Sequence, residues 1–246
     1  MTEPRVLLVA GGSGSIGSAI ARLALSQGWQ VALHGRDPEK LQGRLVALAP
    51  LGTIDGFAVD LGDDDAAEVL VCEVAEQFGR IDAVIDCTAS GPAGITGPFP
   101  ETSPEAYGEF LRVSVGWVQR LAHASYDLLA QQGGTLIAFV SDAGIYAAPR
   151  QALIGAARAG TIGFIRNFAM EAARDGIRAH VISPSFVEDS DSARRMRSER
   201  MAKAARRAGL GLPTAEDIAP LALFLCSDGA RRMTGQVISV NGGLNA

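Results

Sequence analysis

A glycine-rich segment near the start of the chain has the composition of a phosphate-binding loop. The run Gly11-Gly12-Ser13-Gly14-Ser15-Ile16-Gly17 follows an apolar stretch and leads into a segment of helical periodicity. Backbone N–H groups at a helix N-terminus suit a pyrophosphate, and glycines let the ligand approach the backbone. A glycine string also occurs in plain strand–helix turns. The segment therefore predicts a nucleotide-binding loop only when an α/β repeat surrounds it.

The histidines and cysteines do not have the spacing of a metal or redox site. The three histidines are far apart in sequence, and the three cysteines include no CxxC pair (His34, His123, His180; Cys72, Cys87, Cys226). An odd number of cysteines cannot all pair within one chain, and reduced thiols are typical of cytosolic proteins. The sequence predicts no metal site.

Short apolar runs alternate with segments of helical periodicity along the whole chain. The runs predict seven strands, at residues 5–10, 30–34, 56–60, 83–87, 135–140, 178–183 and 236–240. Helices are expected near residues 16–26, from 37 onward, and near 65–78, 104–131, 151–173 and after 214–217. Continuous apolar strands are typical of parallel sheets covered on both faces. We expect one doubly wound α/β domain over residues 1–246.

Composition and charge exclude several classes of protein. Of 246 residues, 48% are hydrophobic and 20% charged, which excludes a disordered chain, and the 29 glycines have no G-X-Y period. The net charge of −5 argues against a nucleic-acid or anionic-membrane partner. Because no apolar stretch approaches membrane-spanning length and the N-terminal run is too short for a signal peptide, we expect a soluble, cytoplasmic protein. The charged block at residues 190–208 is interpreted as a solvated helix covering a cleft, with a phosphate- or partner-binding patch as the alternative.

The glycine loop and the C-terminal segment carry a family resemblance. The loop resembles the T-G-x-x-x-G-[IL]-G motif of the short-chain dehydrogenase/reductase family, although Ala10 replaces the threonine and Ser15 the middle glycine. Residues 233–237 and 240–243 resemble the family's I-T-G-Q-x and V-D-G-G. The resemblance spans essentially the whole chain and is to the ketoacyl-reductase-like branch. It implies a Rossmann-type fold and an NAD or NADP cofactor, for which the candidate contacts are Gly11, Ser13, Ser15, Ile16, Gly17, Arg36, Asp60, Leu61 and Cys87.

The residues that end the second predicted strand bear on the choice of cofactor. An acidic residue there would accept hydrogen bonds from the ribose hydroxyls and disfavour a 2′-phosphate. Gly35 occupies this place, and the adjacent Arg36 offers a charge-assisted fork to a phosphate. This pattern favours NADP over NAD. A solvated arginine at a strand end is the alternative.

The catalytic positions of the family are mostly replaced. The resemblance implies a serine, a tyrosine and a lysine four residues further on, and these positions hold Ser141, Ile154 and Arg158, while Ser114 stands for an asparagine. Isoleucine has no proton to give, and arginine is not a base at neutral pH, although it can hold an anion or a ribose. General acid–base help contributes about 10²–10⁴ in rate. Ser141 and Arg158 remain the candidate catalytic residues.

Further departures surround the implied cofactor cleft. The segment Asp86-Cys87-Thr88-Ala89 stands for the family's N-N-A-G, and Ser185 stands for a glycine. Asp189, beside Glu188, stands where the family commonly has a threonine near the cofactor, and its charge would repel a diphosphate unless the loop lies differently. Replacement proton donors would be Tyr146, Asp142 or Asp86, for each of which loop packing or loop capping is the alternative.

Three functions follow from this pattern. The leading hypothesis is a non-catalytic subunit of a hetero-oligomeric NAD(P)-dependent alcohol or carbonyl dehydrogenase. It would pair with an active paralogue in a dimer of dimers that acts on a small molecule or an acyl thioester. The first alternative is an active NADP(H)-dependent oxidoreductase with a non-standard proton donor. The second is a cofactor-independent lyase, isomerase or ligand sensor.

Overall fold

Seven parallel strands form a single sheet. The computed structural model describes residues 3–88, 93–195 and 198–245. The strand order is β3-β2-β1-β4-β5-β6-β7, so the winding direction reverses between β1 and β4. The strands are β1 (Val6–Ala10), β2 (Gln30–His34), β3 (Ile54–Phe57), β4 (Ala83–Asp86), β5 (Thr135–Phe139), β6 (Arg178–Ser183) and β7 (Val237–Ser239). The predicted doubly wound α/β fold is confirmed.

Helices cover both faces of the sheet. One face packs against α1, α2 and α9, and the other against α3, α5 and α6. The helices are α1 (Ser15–Ser26), α2 (Pro38–Leu48), α3 (Ala66–Phe78), α4 (Tyr107–Leu111), α5 (Trp117–Gln132), α6 (Ala152–Ala172), α7 (Asp191–Arg195), α8 (Ser198–Arg207) and α9 (Ala215–Leu225). Every residue of β1 is fully buried, as expected of a central strand with helices on both sides. In the part of the chain that the structure describes, no helix is long and apolar enough to cross a membrane.

Three predicted elements differ from the structure. The third strand covers Ile54–Phe57 instead of residues 56–60, because its pairing with β2 starts at Ile54 opposite Val31 and ends at Phe57 opposite His34. The long helix predicted at 104–131 is interrupted by a π-helical turn, Arg112–Gly116, between α4 and α5. The block at 190–208 forms two helices, α7 and α8, and residues 196 and 197 between them lie outside the described part.

Helix α1 lacks the side-chain N-cap that α2 and α9 have. Asp37 caps α2 by accepting from two backbone N–H groups of the first turn, and Thr214 with Asp217 forms a reciprocal capping box at α9. The N-cap of α1 is Gly14, which offers no side chain, and no acidic residue occupies the first turn. The positive end of the α1 dipole is thus neither capped by a side chain nor balanced by an acidic residue of the first turn.

Candidate functional site

The glycine loop joins β1 to α1 at the point where the sheet reverses its winding. Gly11 has a φ of +73°, and a Cβ there would lie 2.9 Å from the backbone of Cys87, directly after β4. A Cβ on Gly17 would lie 2.6 Å from Cα of Gly12. Only glycine therefore allows the loop to fold back against both β4 and the first turn of α1.

A buried histidine fixes the loop to the second strand. Gly11 N–H donates to Nδ1 of His34 at 3.2 Å, while Nε2 of the same ring lies 2.9 Å from the carbonyl oxygen of Val59. The ring is therefore neutral, with its proton on Nε2. Burial lowers the pKa of His34, which keeps Nδ1 free to accept from the loop.

The loop and the start of α1 fit an anionic ligand. Among the described residues, the N–H groups of Ser15, Ile16 and Gly17 donate to no backbone acceptor outside the helix, and no side chain caps them. Gly35 approaches the loop so closely that a Cβ on it would lie 2.7 Å from Oγ of Ser13. An open set of first-turn amides beside a tight glycine turn is the arrangement that binds a diphosphate in dinucleotide-binding folds.

The other predicted cofactor residues lie at the same edge of the sheet. Arg36 follows β2 and is exposed, Asp60 and Leu61 follow β3, and Cys87 follows β4. Asp60 is exposed and accepts a hydrogen bond from the N–H of Gly62 at 3.0 Å, whereas Leu61 is buried in the core. The structure thus places the predicted residues along the carboxyl edge of the sheet, although Leu61 lies within the packing below that edge.

Position 154 lies in an apolar cluster. Ile154 is half-buried and packs against a buried group formed by Ile95, Phe110 and Ala157. Its neighbours on α6 include Arg158, one helical turn further on. The position at which the family resemblance implies a tyrosine is therefore part of a hydrophobic contact between α4, α6 and the loop before α4.

Ser141 and Asp142 begin the turn after β5 and both bond within the protein. Oγ of Ser141 accepts from the N–H of Ala143 at 3.3 Å. The carboxylate of Asp142 is buried and accepts from the Ser183 hydroxyl and from the amide groups of two asparagines, Asn241 and Asn245, each at 2.8 Å. All three neighbours donate to the Asp142 carboxylate, which therefore holds the turn after β5 to the end of β6 and to the C-terminal segment.

Asp86 and Arg158 place opposite charges at the base of the crevice. Asp86 accepts from the N–H and the hydroxyl of Thr88, at 3.2 and 2.7 Å, and from Nε1 of Trp117 at 3.1 Å. Burial raises the pKa of Asp86, against these hydrogen bonds and the attraction of Arg158. Burial likewise lowers the pKa of Arg158, and its Nε has no hydrogen-bond partner among the described residues. The guanidinium is held by Asp86 through longer-range attraction.

The three tyrosines make no hydrogen bond to Ser141 or Arg158 among the described residues. The Tyr107 hydroxyl lies 2.5 Å from Oγ1 of Thr102, and that of Tyr126 donates to Asp175 at 2.5 Å. Tyr146 is in the loop after Ser141 with 39% of its surface exposed. Neither Tyr107 nor Tyr126 can therefore donate to a substrate at Ser141 without leaving its partner.

The acidic pair after β6 faces solvent. Glu188 and Asp189 are exposed, and they line a shallow recess of about 290 Å³ together with Arg194 and Met201. Asp189 has a φ of +55°, and its carbonyl oxygen accepts from Arg194 at 2.5 Å. Of the two other positions where the sequence departs from the family's glycines, Ser185 is half-buried and Ala89 lies outside the described residues.

Two side chains that position the site were not predicted. His34 holds the glycine loop, and Trp117 donates to Asp86 across the crevice base. A histidine directly before Gly35 at a strand end was visible in the sequence, but its bond to Gly11 depends on the β1–β2 register. The residue Trp117 follows the π-helical turn, which no sequence pattern indicated.

Comparisons with known proteins place this geometry in a family. The family model described as "Enoyl-(Acyl carrier protein) reductase" matches residues 10–245. Nodulation protein G of Rhizobium sp. (strain N33) is 31% identical over 244 residues, covering 98% of this chain and 96% of that protein. The 3-oxoacyl-[acyl-carrier-protein] reductase FabG of Chlamydia trachomatis is 30% identical over 248 residues, covering 98% and 97%.

Solved structures agree with the sequence matches. A short-chain type dehydrogenase/reductase from Mycobacterium ulcerans superposes with a TM-score of 0.91 at 25% identity, covering 99% of this chain and 91% of that one. Levodione reductase gives a TM-score of 0.89 at 25% identity, covering 97% and 96%. With this sheet order, glycine loop and coverage, the chain belongs to the short-chain dehydrogenase/reductase family.

Proposed function

We propose that this chain binds NADP(H) but does not transfer a proton to a substrate, and that it serves as a non-catalytic subunit beside an active relative. The assembly would reduce an acyl-thioester carbonyl. In such a reaction the cofactor supplies a hydride, and the protein must supply a proton to the carbonyl oxygen.

Binding of a dinucleotide is supported by the loop geometry. The close approaches at Gly11, Gly17 and Gly35 leave room for backbone only, and the uncapped N-terminus of α1 provides donors for a diphosphate. The exposed Arg36 at the end of β2 supports NADP over NAD, since a guanidinium pairs with a 2′-phosphate. No acidic residue stands at Gly35 to oppose that phosphate.

The observation that carries the proposal is the apolar packing of Ile154. Ile154 packs against Ile95 and Phe110, and its hydrocarbon side chain has no proton to transfer. The side chain of Arg158 stays protonated at neutral pH. The two candidate replacement carboxyl groups are already hydrogen-bonded as acceptors, Asp86 to Trp117 and Asp142 to its asparagines. Both therefore serve the structure.

The substrate class is inferred from the relatives. Proteins named 3-oxoacyl-[acyl-carrier-protein] reductase from three bacterial genera match 98–99% of this chain. A protein named as a probable 2,4-dienoyl-CoA reductase from Bacillus subtilis matches at 29% identity. An acyl thioester is the feature that these names share, and we extend it to the assembly that contains this chain.

The test uses the isolated chain and a 3-oxoacyl thioester. We expect NADPH fluorescence to change on binding, while NADPH is not consumed when acetoacetyl-CoA is added. Co-expression with a full-motif relative from the same genome should give a mixed oligomer, seen by native mass spectrometry, that turns over. The control is the same relative expressed alone. A homo-oligomer of this chain with a kcat within the usual 1–10³ s⁻¹ would overturn the proposal.

A further inference from the structure

His34 contacts the glycine loop with both its side chain and its backbone. Nδ1 of the ring accepts from the N–H of Gly11 at 3.2 Å, and the carbonyl oxygen of His34 accepts from the N–H of Gly12 at 2.7 Å. The residue is almost fully buried, with 1% of its surface exposed. One residue at the end of β2 therefore binds two consecutive N–H groups of the loop.

The contact on the other side of the ring determines which nitrogen carries the proton. Nε2 lies 2.9 Å from the carbonyl oxygen of Val59, in the segment after β3. A carbonyl oxygen only accepts, so the proton is on Nε2, and Nδ1 keeps the lone pair that the N–H of Gly11 requires. His34 thus joins the glycine loop to the segment that leads to Asp60 and Leu61.

The N–H groups of the loop divide into those that the protein uses and those that remain open. The N–H groups of Gly11 and Gly12 donate to His34, and that of Gly14 donates to the carbonyl oxygen of Gly11 at 3.1 Å. Four further N–H groups of the loop and the first turn of α1 have no acceptor among the described residues (Ser13, Ser15, Ile16 and Gly17). Because two of the bonds that fix the loop backbone end on His34, the orientation of the open donors depends on this residue.

We propose that His34 is the positioning residue of the glycine loop, and that the acceptor at its Nδ1 sets the affinity of the loop for a dinucleotide. The inference rests on the proposed binding of NADP(H). The diphosphate is common to NADPH and NADH, so loss of the acceptor should weaken the binding of both to the same extent. Arg36 acts differently, because only NADPH carries the 2′-phosphate with which a guanidinium pairs. The two contributions can therefore be measured separately.

Two variants of nearly the same shape separate the acceptor from the volume of the side chain. In H34N, the amide Oδ1 stands in the place of Nδ1 and accepts from the N–H of Gly11, whereas H34L has a methyl group there. Both variants lose the hydrogen bond to Val59. If His34 only fills space in the core, the two variants should behave alike.

The first arm of the test needs no nucleotide. Hydrogen exchange of the peptide that covers residues 9–17 is followed by mass spectrometry. We expect its protected amides to exchange about three- to tenfold faster in H34L than in H34N, as the loss of one ordinary hydrogen bond allows. The control is H180L, which removes the buried histidine of β6, three positions from β1 in the sheet, and should leave the exchange of this peptide unchanged. Equal exchange rates in H34L and H34N would overturn the positioning role.

The second arm measures the affinity for the ligand by fluorescence titration. H34L should bind NADPH and NADH each about three- to tenfold more weakly than H34N does, with the ratio of the two affinities unchanged. R36M, by contrast, should weaken the binding of NADPH alone. Equal affinities of H34L and H34N, or a loss in H34L that is confined to NADPH, would overturn the inference. If the wild type binds neither nucleotide, the proposed function fails, and the hydrogen exchange alone then decides whether His34 positions the loop.

Discussion

The carboxylate of Asp142 gives a sharp test of whether the acid after β5 is structural. Its Oδ1 accepts from Ser183, and its Oδ2 accepts from Asn241 and Asn245, all at 2.8 Å. The amide oxygen of Asn241 accepts from the N–H of Gly243 at 3.0 Å, which commits its amide nitrogen to Asp142. One buried side chain therefore ties the end of β6 and the C-terminal segment to the turn after β5.

Two substitutions separate the acceptor role from the charge. D142A removes three hydrogen bonds and leaves the buried Ser183 hydroxyl and two amide groups without their acceptor. At about 1 kcal/mol or slightly more per bond, the free energy of unfolding should fall by about 3–4 kcal/mol. In D142N, the new amide oxygen can accept from Asn241 and Asn245 while its nitrogen donates to Ser183. Only charge assistance is lost, and we expect a decrease of about 1 kcal/mol.

The assay is urea unfolding of both variants, followed by tryptophan fluorescence. The control is D64A, because the Asp64 side chain is 95% exposed and its removal should change stability by less than about 0.5 kcal/mol. Two results would refute the reasoning. One is a D142A variant within about 1 kcal/mol of the wild type. The other is an equal, large loss in D142A and D142N, which would make the charge itself decisive.

Three further predictions concern the loop, a buried histidine and the chemistry. G11A should lower the free energy of unfolding by at least about 2 kcal/mol more than G28A, because both glycines have a positive φ but only Gly11 lacks space for a Cβ. Chemical denaturation that gives similar losses of unfolding free energy for the two variants would contradict this. Burial lowers the pKa of His180 to about 4 in the folded protein. As the pH falls below the ordinary histidine pKa of about 6.5, the imidazole is therefore protonated in the unfolded state before it is protonated in the folded state. The free energy of unfolding should consequently fall by up to about 3 kcal/mol between about pH 6.5 and pH 4. H180L should flatten that part of the stability–pH curve, and an unchanged curve would exclude the histidine as its source. The double variant I154Y/R158K introduces the tyrosine and lysine of the family. It should raise the rate of NADPH-dependent reduction of acetoacetyl-CoA by about 10²–10⁴-fold over the wild-type rate. A double variant that folds and binds NADPH but shows no increase in rate would mean that more than the proton donor is missing.

The fold was predictable because its strands are continuous apolar runs. The bounds of β2 and β6 match the prediction, and those of β1 and β5 differ by one residue at one end. The third strand was misplaced because the run at residues 56–60 continues past the last position that β2 can pair with, His34 opposite Phe57. Pairing register is a property of two strands together, and one strand's sequence does not contain it.

The site was predictable in outline but its contacts were not. The motif pattern located the glycine loop, and the structure gives that loop the close approaches expected of it. The partners of Asp142 lie 41 to 103 residues away in sequence, and the salt bridge between Lys40 and Asp191 joins residues that are 151 positions apart. Such contacts depend on where helices and loops end in space, which local patterns do not specify. The packing around Ile154 was missed for the same reason, because Ile95 and Phe110 come from other segments.

Nucleotide binding without proton transfer is measured most directly in a single-turnover experiment. The isolated chain, saturated with NADPH, is mixed with excess acetoacetyl-CoA, and the bound-NADPH fluorescence and the absorbance of reduced nicotinamide are followed together. We predict the fluorescence signal of bound NADPH together with an NADPH absorbance that decays no faster than in buffer. NADPH should be consumed only after a full-motif relative has assembled with the chain. Oxidation of one equivalent of NADPH by the chain alone within seconds would contradict the proposal, because a proton donor would then have to exist in the crevice.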